Sequence, residues 1–189
     1  TAVAQPLLSS VFSSPWAFES MIERLELKDQ GLLAAAQRWK KQGQQELAQV
    51  DYLLDAEPDL IHSRLLKIVD YIEQATDIFD EVQKIVVFTG FTETLHALKG
   101  VIDHRLERYG LYSVAFSSDM DRESLENSVY DFQNEDACRI ILCDETGGEG
   151  RNFQNAKMII HVDLPWSANA LEQRSGRLDR LGREAQEDV

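Results

Sequence analysis

Four arginines recur at every third position near the end of the chain, and this spacing could do phosphate chemistry. They are Arg174, Arg177, Arg180 and Arg183. On one or two helical turns they would form a ridge of guanidinium groups, which are always charged and bind two phosphate oxygens at once. A solvated basic helix end has the same composition. Because the chain is otherwise acidic, with a formal net charge of −14, the local ridge favours binding of a triphosphate during hydrolysis.

Glycines form a second candidate phosphate-binding feature. Gly147, Gly148 and Gly150 occupy three of four consecutive positions. Such a loop lets the backbone approach a ligand, and its N–H groups can hold anionic oxygens, although a plain glycine turn has the same composition. The preceding stretch from Ile140 to Glu145 mimics the strand that holds Mg²⁺ in P-loop ATPases. No GxxxxGK[ST] motif occurs upstream, so we assign no metal site.

The second half of the chain has the pattern of a parallel α/β sheet. Short apolar runs predict strands near 85–88, 112–116, 139–143 and 158–162, and amphipathic stretches predict helices near 95–106, 122–132 and 168–177. Strands that are apolar throughout and alternate with helices are typical of βαβ units. Ligands of such sheets bind beyond the carboxyl ends of the strands. The residues that follow each strand are therefore the expected place for chemistry.

The first half of the chain is predicted to be helical. Ser14 followed by Pro15 is typical of an N-cap and the first turn of a helix. Gly31 and Gly43 are expected to separate further helices. The spacing of apolar residues predicts an amphipathic helix over 59–79. This half is expected to form a helical module in front of the α/β domain.

Composition limits the class of protein. A chain of 189 residues, 43 % of them hydrophobic, can bury one full core but not two large domains. Apolar runs are far shorter than the roughly 20 residues that cross a bilayer, so we expect a soluble protein. Cys138 and Cys143 are expected to be reduced, buried and on opposite faces of a strand, and the four histidines lack metal-ligand spacing. Because the chain opens at Thr1, we expect a fragment of a longer protein.

Three strings of sequence resemble the motifs of superfamily 2 ATPases. KIVVFTGFTETL at 84–95 resembles motif IV, the stretch 146–154 resembles motif V, and QRSGRLDRLG at 173–182 resembles motif VI. Their order and spacing are similar to those of the Swi/Snf-type branch. Within that branch, EGRNFQ at 149–154 and LEQRSGRLDRLGR at 171–183 are most similar to the bacterial RNA-polymerase-associated, RapA/HepA-like proteins.

The resemblance implies the second lobe of a P-loop NTPase-like motor, a RecA-like parallel sheet flanked by helices. Residues 59–189 would form this C-terminal helicase lobe, and residues 1–58 would form a helical protrusion or insert in front of it. ATP and Mg²⁺ would be bound mainly by an N-terminal RecA-like lobe. The chain alone is therefore expected to be inactive as an ATPase.

The resemblance also assigns residues to roles. The residues expected at the nucleotide are Gly148, Glu149, Gly150, Gln173, Arg177 and Arg180. Of these, Arg177 and Arg180 would be the catalytic ones, acting as arginine fingers on the γ-phosphate. The residues expected to contact the DNA backbone are Thr89, Gly90, Phe91, Ser117, Ser118, Thr146 and Gly147.

Two positions depart from the family pattern. Relatives often have an Asp-Gly-Ser/Thr turn after the second strand, where this chain has Phe116-Ser117-Ser118-Asp119. Many eukaryotic relatives have an arginine in place of Glu145, and a carboxylate there would repel phosphate. We therefore expect DNA contacts from hydroxyls and backbone N–H groups rather than from many cations.

The predicted function is the C-terminal lobe of an ATP-dependent translocase on double-stranded DNA. The expected partners are the N-terminal lobe, duplex DNA, and RNA polymerase or another DNA-bound protein, in the bacterial cytoplasm and at the nucleoid. Two alternatives stay open: a lobe of a strand-separating superfamily 2 helicase, and a non-catalytic docking module on the same fold, which an acidic surface would suit. A P-loop upstream in the gene would favour the motor over the docking module.

Overall fold

The computed structural model describes residues 3–48, 64–78, 84–144, 153 and 155–165. In chain order the elements are α1 (Ala4–Ser13), α2 (Pro15–Arg24), α3 (Gln30–Ala48), α4 (Arg64–Ile78), β1 (Lys84–Phe88), α5 (Thr92–Glu107), β2 (Tyr112–Phe116), α6 (Arg122–Asn134), β3 (Cys138–Cys143) and β4 (Ala156–His161). The helix predicted over 168–177 and the rest of 166–189 lie outside the described residues, as do 59–63 and 145–152. No described helix is long and apolar enough to cross a membrane.

The described strands form one parallel sheet in the order β2-β3-β1-β4. β1 lies inside the sheet and pairs in parallel with β3 on one side and β4 on the other. All five residues of β1 are buried, as expected for a strand that is covered on both faces. The predicted parallel α/β sheet is therefore confirmed.

Alternate residues of each strand pack into two separate core layers. Ile85 and Val87 face α4 and α5, whereas Val86 and Phe88 face α6. Successive side chains of a strand point to opposite faces, so a continuous apolar run supplies both layers at once. Helices on both faces exclude water from the sheet and leave its strand ends as the accessible edge.

The two cysteines are free and buried as predicted, but the prediction that they face opposite ways is wrong. Cys138 and Cys143 belong to the same core layer. The register between β2 and β3 shifts between Tyr112 and Ser113, which leaves Arg139 as one extra residue in β3. A bulge of this kind reverses the alternation on one side of it. Burial raises the pKa of the Cys138 thiol to about 12.

The helical first half begins as predicted and differs at Gly43. Ser14 caps α2 by accepting a hydrogen bond from the Ala17 N–H at 3.0 Å, and Pro15 occupies the first turn. Gly43 does not separate two helices, because α3 continues through it. A Cβ at Gly43 would lie 3.0 Å from Pro15 Cγ. Glycine is therefore used at this position for the close approach of α2 and α3.

An ion cluster joins α4 to α5. Arg105, only 4 % exposed, forms ion pairs with Glu73 and, at 3.1 Å, with Asp70. Arg108 also pairs with Glu73. A buried guanidinium is stable only when it is paired, so these carboxylates hold α4 in register with α5.

Candidate nucleic-acid and nucleotide interface

Two buried aspartates lie at the carboxyl ends of two of the strands. Asp144 follows β3 and is 3 % exposed, and Asp163 lies just beyond β4 and is 8 % exposed. Because the sheet is parallel, both lie at the same edge, which we call the carboxyl edge. It consists of Asp144, Asp163 and the loops 89–91, 117–120 and 162–165 that follow β1, β2 and β4.

The strand ladder extends into these loops and fixes their starting points. The Thr89 N–H donates to the Cys143 carbonyl at 3.0 Å, and the Val162 N–H donates to the Phe88 carbonyl at 2.9 Å. The loops after β1 and β4 therefore leave the sheet side by side. This places Thr89 next to Asp163.

Asp163 accepts hydrogen bonds from two parts of the chain. Its Oδ2 atom accepts from the Thr89 hydroxyl at 2.7 Å and from the Ser13 hydroxyl at 2.6 Å, and its Oδ1 atom accepts from the Gly90 N–H at 2.8 Å. Hydrogen bonds to an ionised acceptor are stronger than those between neutral groups. Asp163 thus shapes the loop after β1 and binds the end of α1.

Asp144 organises the loop after β2 in a similar way. Its Oδ2 atom accepts from the Ser118 N–H at 2.8 Å, the Ser118 hydroxyl at 2.7 Å and the Ser117 hydroxyl at 3.1 Å. The Thr92 hydroxyl, at the first turn of α5, reaches the same oxygen at 3.1 Å. One carboxylate therefore links β3, the loop after β2 and the start of α5.

A partly exposed pair lies beside this loop. His96 Nε2 is 2.8 Å from Asp119 Oδ2, and the two side chains are 50 % and 52 % exposed. The neighbouring polar side chains of Ser117 and His96 lower the pKa of Asp119 from its usual value. The pair ties α5 to the loop 117–120 at the surface of the carboxyl edge.

A comparison with protein families identifies the family of the domain that carries the carboxyl edge. The model described as "Helicase conserved C-terminal domain" matches residues 67–182, more than half of the chain. The chain belongs to this helicase C-terminal domain family. The match covers the described carboxyl edge and, in the sequence, the glycine-rich stretch and the arginine string through Gly182.

Relatives and solved structures agree with this assignment. The RNA polymerase-associated protein RapA of Vibrio cholerae serotype O1 (strain M66-2) is 36 % identical over 108 residues, 57 % of this chain and 11 % of the relative. RapA of Cronobacter sakazakii is 38 % identical over 101 residues, 53 % of this chain and 10 % of the relative. The chain thus spans about a tenth of the length of these relatives. They agree with the RapA/HepA-like branch that the motifs indicate.

Two structures share the fold. "Mss116p DEAD-box helicase domain 2 bound to an RNA duplex" matches with a TM-score of 0.54 at 18 % identity, over 66 % of this chain and 46 % of that one. The C-terminal part of the Fun30 ATPase domain matches with a TM-score of 0.53 at 16 % identity, over 94 % of this chain and 60 % of that one. These likenesses show the fold alone. With the family match, they confirm the predicted C-terminal helicase lobe.

Five of the predicted DNA contacts of this helicase lobe are among the described residues, all on the carboxyl edge. Thr89 is 1 % exposed and Ser117 is fully buried, and their hydroxyls donate to the two aspartates. Gly90 and Phe91 are partly buried, and Ser118 is exposed. Their contact with DNA stays a prediction. The other predicted site residues lie outside the described residues: Thr146, Gly147, Gly148, Glu149, Gly150, Gln173, Arg177 and Arg180.

The sequence interpretation missed both aspartates as organisers of the site. It treats Asp144 only as part of a stretch that mimics a magnesium-binding strand, and it gives Asp163 no role. A signal was present, since an aspartate directly after a buried strand has few neighbours except the loops of adjacent strands. Ser and Thr at 89, 92, 117 and 118 supply the donors that such a carboxylate needs.

Proposed function

We propose that this chain is the second lobe of an ATP-dependent translocase on duplex DNA. The observation that carries the proposal is the family match over 67–182, which joins the ordered carboxyl edge and the arginine string in one domain. The lobe would close on an N-terminal RecA-like lobe and move along DNA as the cleft opens and closes. The chain would supply contacts and charge, and the other lobe would supply the loop that binds triphosphate.

On the nucleotide side, Arg177 and Arg180 act as arginine fingers on the γ-phosphate, with Gln173 beside them. Gly148, Glu149 and Gly150 lie near the ribose and the lobe interface. Guanidinium suits this role because it stays charged and binds two oxygens of a transferring phosphoryl group. In the sequence, Gln173 follows Asp163 by only ten residues.

ATP and Mg²⁺ are held mainly by the N-terminal lobe in this proposal. Among the described residues, no group of three or more His, Cys, Asp and Glu could hold a metal ion. Asp144 and Asp163, the buried acids of the edge, accept hydrogen bonds from hydroxyls and backbone N–H groups instead. When bound, Mg²⁺ would neutralise charge on the phosphates.

On the nucleic-acid side, the loops 89–91 and 117–118 and the stretch at Thr146 and Gly147 lie against the DNA backbone. Ser118 is exposed and its hydroxyl oxygen can still accept, or donate after a small rotation. Thr89, Gly90 and Ser117 contribute by holding the loops in shape through the two aspartates. Phe91 adds a partly buried aromatic surface beside them.

The name of the relatives supports a proposal for the partner. RapA is RNA polymerase-associated by name, and we propose RNA polymerase or another DNA-bound protein as a partner in the bacterial cytoplasm, at the nucleoid. A net charge of −14 would suit contact with a basic surface of such a partner.

ATP turnover tests the two-lobe proposal. The 189-residue chain should hydrolyse ATP no faster than buffer, whereas the protein that joins it to its N-terminal lobe should show turnover that duplex DNA stimulates. Turnover by the 189-residue chain that survives Arg177→Ala would contradict the proposal. A strand-displacement assay on a fluorescent duplex distinguishes the translocase from a strand-separating helicase. Only the helicase would release the labelled strand.

A further inference from the structure

A buried polar cluster joins the helical first half of the chain to the carboxyl edge. We call Ser13, Ser14, Thr89, Thr94 and Asp163 the serine node. Ser13 is the last residue of α1 and Ser14 is the N-cap of α2. They are 2 % and 1 % exposed, and Thr94 on α5 is fully buried. Ser13 Oγ is 2.6 Å from Asp163 Oδ2 and 2.8 Å from Thr94 Oγ1. The Ser13 to Asp163 bond spans 150 residues of sequence.

The direction of these hydrogen bonds follows from the number of protons. Each hydroxyl has one hydrogen to donate, and Ser13 donates its hydrogen to the carboxylate. Thr94 must then donate to Ser13, and Ser14 must donate to Thr94 at 2.6 Å. Ser14 in turn accepts from the Ala17 N–H at 3.0 Å. The node is therefore a one-way relay that begins at the N-terminus of α2 and ends on Asp163.

Arg64 closes the same junction from α4. Its guanidinium donates to the Val162 carbonyl at 2.7 Å and to the Ser13 carbonyl, so it holds the end of α1 against the end of β4. Burial lowers the pKa of Arg64 from its usual value, and the negative charge of Asp163 opposes this shift. Arg64 therefore places a positive charge beside the carboxylate on which the relay ends.

We propose that Ser13 is a positioning residue for the motor, and that α1 and α2 set the carboxyl edge through it. Asp163 holds Thr89 and Gly90 on the side assigned to DNA, and it lies on the segment that leads to Gln173 and Arg177 on the side assigned to the nucleotide. Ser13 fixes the orientation of this shared carboxylate. This inference rests on the proposed function, since positioning matters only if both sides act in one reaction.

The functional test compares Ser13→Ala with Ser9→Ala in the full-length protein. Ser9 lies four residues earlier on the same helix, and its exposed hydroxyl donates only within α1, to the Gln5 carbonyl at 2.9 Å. Ser13→Ala should lower DNA-stimulated kcat roughly tenfold while leaving the KM for ATP within about twofold, because it removes a buried bond to a charged acceptor and no nucleotide contact. Ser9→Ala should keep the wild-type kcat. Wild-type kcat in Ser13→Ala, or a change confined to KM, overturns the inference.

Amide hydrogen exchange in the 189-residue chain tests the node without any ATPase. The Gly90 N–H donates to Asp163 at 2.8 Å, so Ser13→Ala should speed its exchange roughly tenfold, whereas Ser9→Ala should not. The Ala115 amide in β2, remote from the node, should exchange as in the wild type. Unchanged exchange at Gly90 overturns the inference. If wild-type full-length protein showed no DNA-stimulated turnover, the proposed function would fail while the exchange result on the node still stood.

A second variant covers the case in which Ser13→Ala does not fold. Thr94→Val keeps the shape of Thr94 and removes the hydroxyl that bonds to both Ser13 and Ser14. Like Ser13→Ala, it should speed exchange at Gly90 and lower kcat.

A double variant tests whether Ser13 acts through Asp163. Combined with Asp163→Asn, Ser13→Ala should add less than twofold to the loss of kcat, since both changes act on one bond. If the loss of kcat in the double variant equals the product of the losses in the two single variants, the inference is overturned.

Discussion

The two halves of the carboxyl edge use the same chemistry in different surroundings. Asp163, in the half at the ends of β1 and β4, accepts hydrogen bonds from the hydroxyls of the buried Ser13 and Thr89. Asp144, at the β2 and β3 half, accepts from Ser117 and the exposed Ser118. Helices α1 and α2 close the first half through the serine node. The second half is open to solvent beside the loop 117–120.

We propose that the two halves have different roles in nucleotide chemistry and DNA contact. A closed, cross-linked edge holds geometry well, and the arginine string follows it in sequence, so we assign nucleotide chemistry to the β4 side. An open edge with hydroxyls and backbone N–H groups can meet a phosphate backbone, so we propose that the loop after β2 adds DNA contacts to those proposed for the loop after β1. Substitutions on the β4 side should therefore change kcat, and those on the β2 side should change DNA affinity.

The largest expected effect is on the arginine string. In the full-length protein, Arg177→Ala and Arg180→Ala should each lower kcat by roughly 10³ or more and leave ATP binding nearly intact, because an arginine finger acts mainly on the transition state. Arg177→Lys should not restore turnover, since an ammonium cannot bind two oxygens as a planar fork. Steady-state kinetics with saturating DNA measures both. An unchanged kcat in either alanine variant would move the string to a structural or DNA-facing role.

The next effect compares the stability of the two halves. Chemical denaturation of the 189-residue chain should show that Asp163→Asn lowers the free energy of unfolding by about 3 kcal/mol and Asp144→Asn by about 2 kcal/mol. In Asp163→Asn the buried hydroxyls of Ser13 and Thr89 lose a charged acceptor, and water cannot reach them to replace it. In Asp144→Asn water can replace part of the hydrogen bonding of the exposed Ser118. Asp136→Asn, at an exposed turn, is the control and should have little effect. A larger loss for Asp144→Asn would reverse the comparison.

A smaller effect concerns DNA affinity at the open half. Ser118→Ala in the full-length protein should weaken binding of a short duplex about threefold to tenfold, the size expected for one hydrogen bond, with kcat unchanged at saturating DNA. Asn127→Ala, which removes an exposed polar side chain from α6, serves as the control and should keep the wild-type affinity. Fluorescence anisotropy measures the dissociation constant. A loss of kcat without a loss of affinity would place Ser118 on the nucleotide side instead.

The salt dependence of DNA binding should be shallow. A lobe with a net charge of −14 that contacts DNA through hydroxyls and N–H groups neutralises few phosphates. The slope of log K against log salt should therefore be roughly −1 to −3 for the isolated chain, with weak affinity near physiological salt. Glu145→Arg should tighten binding and steepen the slope by about one unit. Submicromolar binding with a slope near −6 would instead require a large basic face on the lobe.

The smallest effect is a pH dependence at the open half. The pKa of Asp119 is lowered by Ser117 and His96, so its contribution to stability is present above about pH 4 and is lost as the pH falls below that value. The side chain is 52 % exposed, so this contribution should be less than about 0.5 kcal/mol. Denaturation between pH 5 and pH 3 should show a slightly flatter profile for Asp119→Asn than for the wild type. Identical profiles for the two proteins would show that ionised Asp119 does not stabilise the loop.

Local patterns predicted the sheet well because they reflect burial. The strand predicted over 112–116 is observed as Tyr112–Phe116, and the predicted helix over 122–132 is observed as Arg122–Asn134. Continuous apolar runs mark strands that are covered on both faces. Patterns failed where a neighbour decides the outcome. Gly43 lies inside α3, where the missing side chain allows α2 to pack closely, and the bulge at Arg139 turns Cys138 to the face of Cys143.

The sequence by itself determined the class of lobe, the parallel sheet and the edge at which chemistry is expected. These follow from apolar periodicity and from short strings whose meaning is local. Only the tertiary structure showed that Asp144 and Asp163 organise that edge and that Ser13 reaches it from α1. A hydrogen bond between a serine and an aspartate 150 residues apart depends on how the helices pack, since any of many hydroxyls in the chain could have satisfied the same carboxylate.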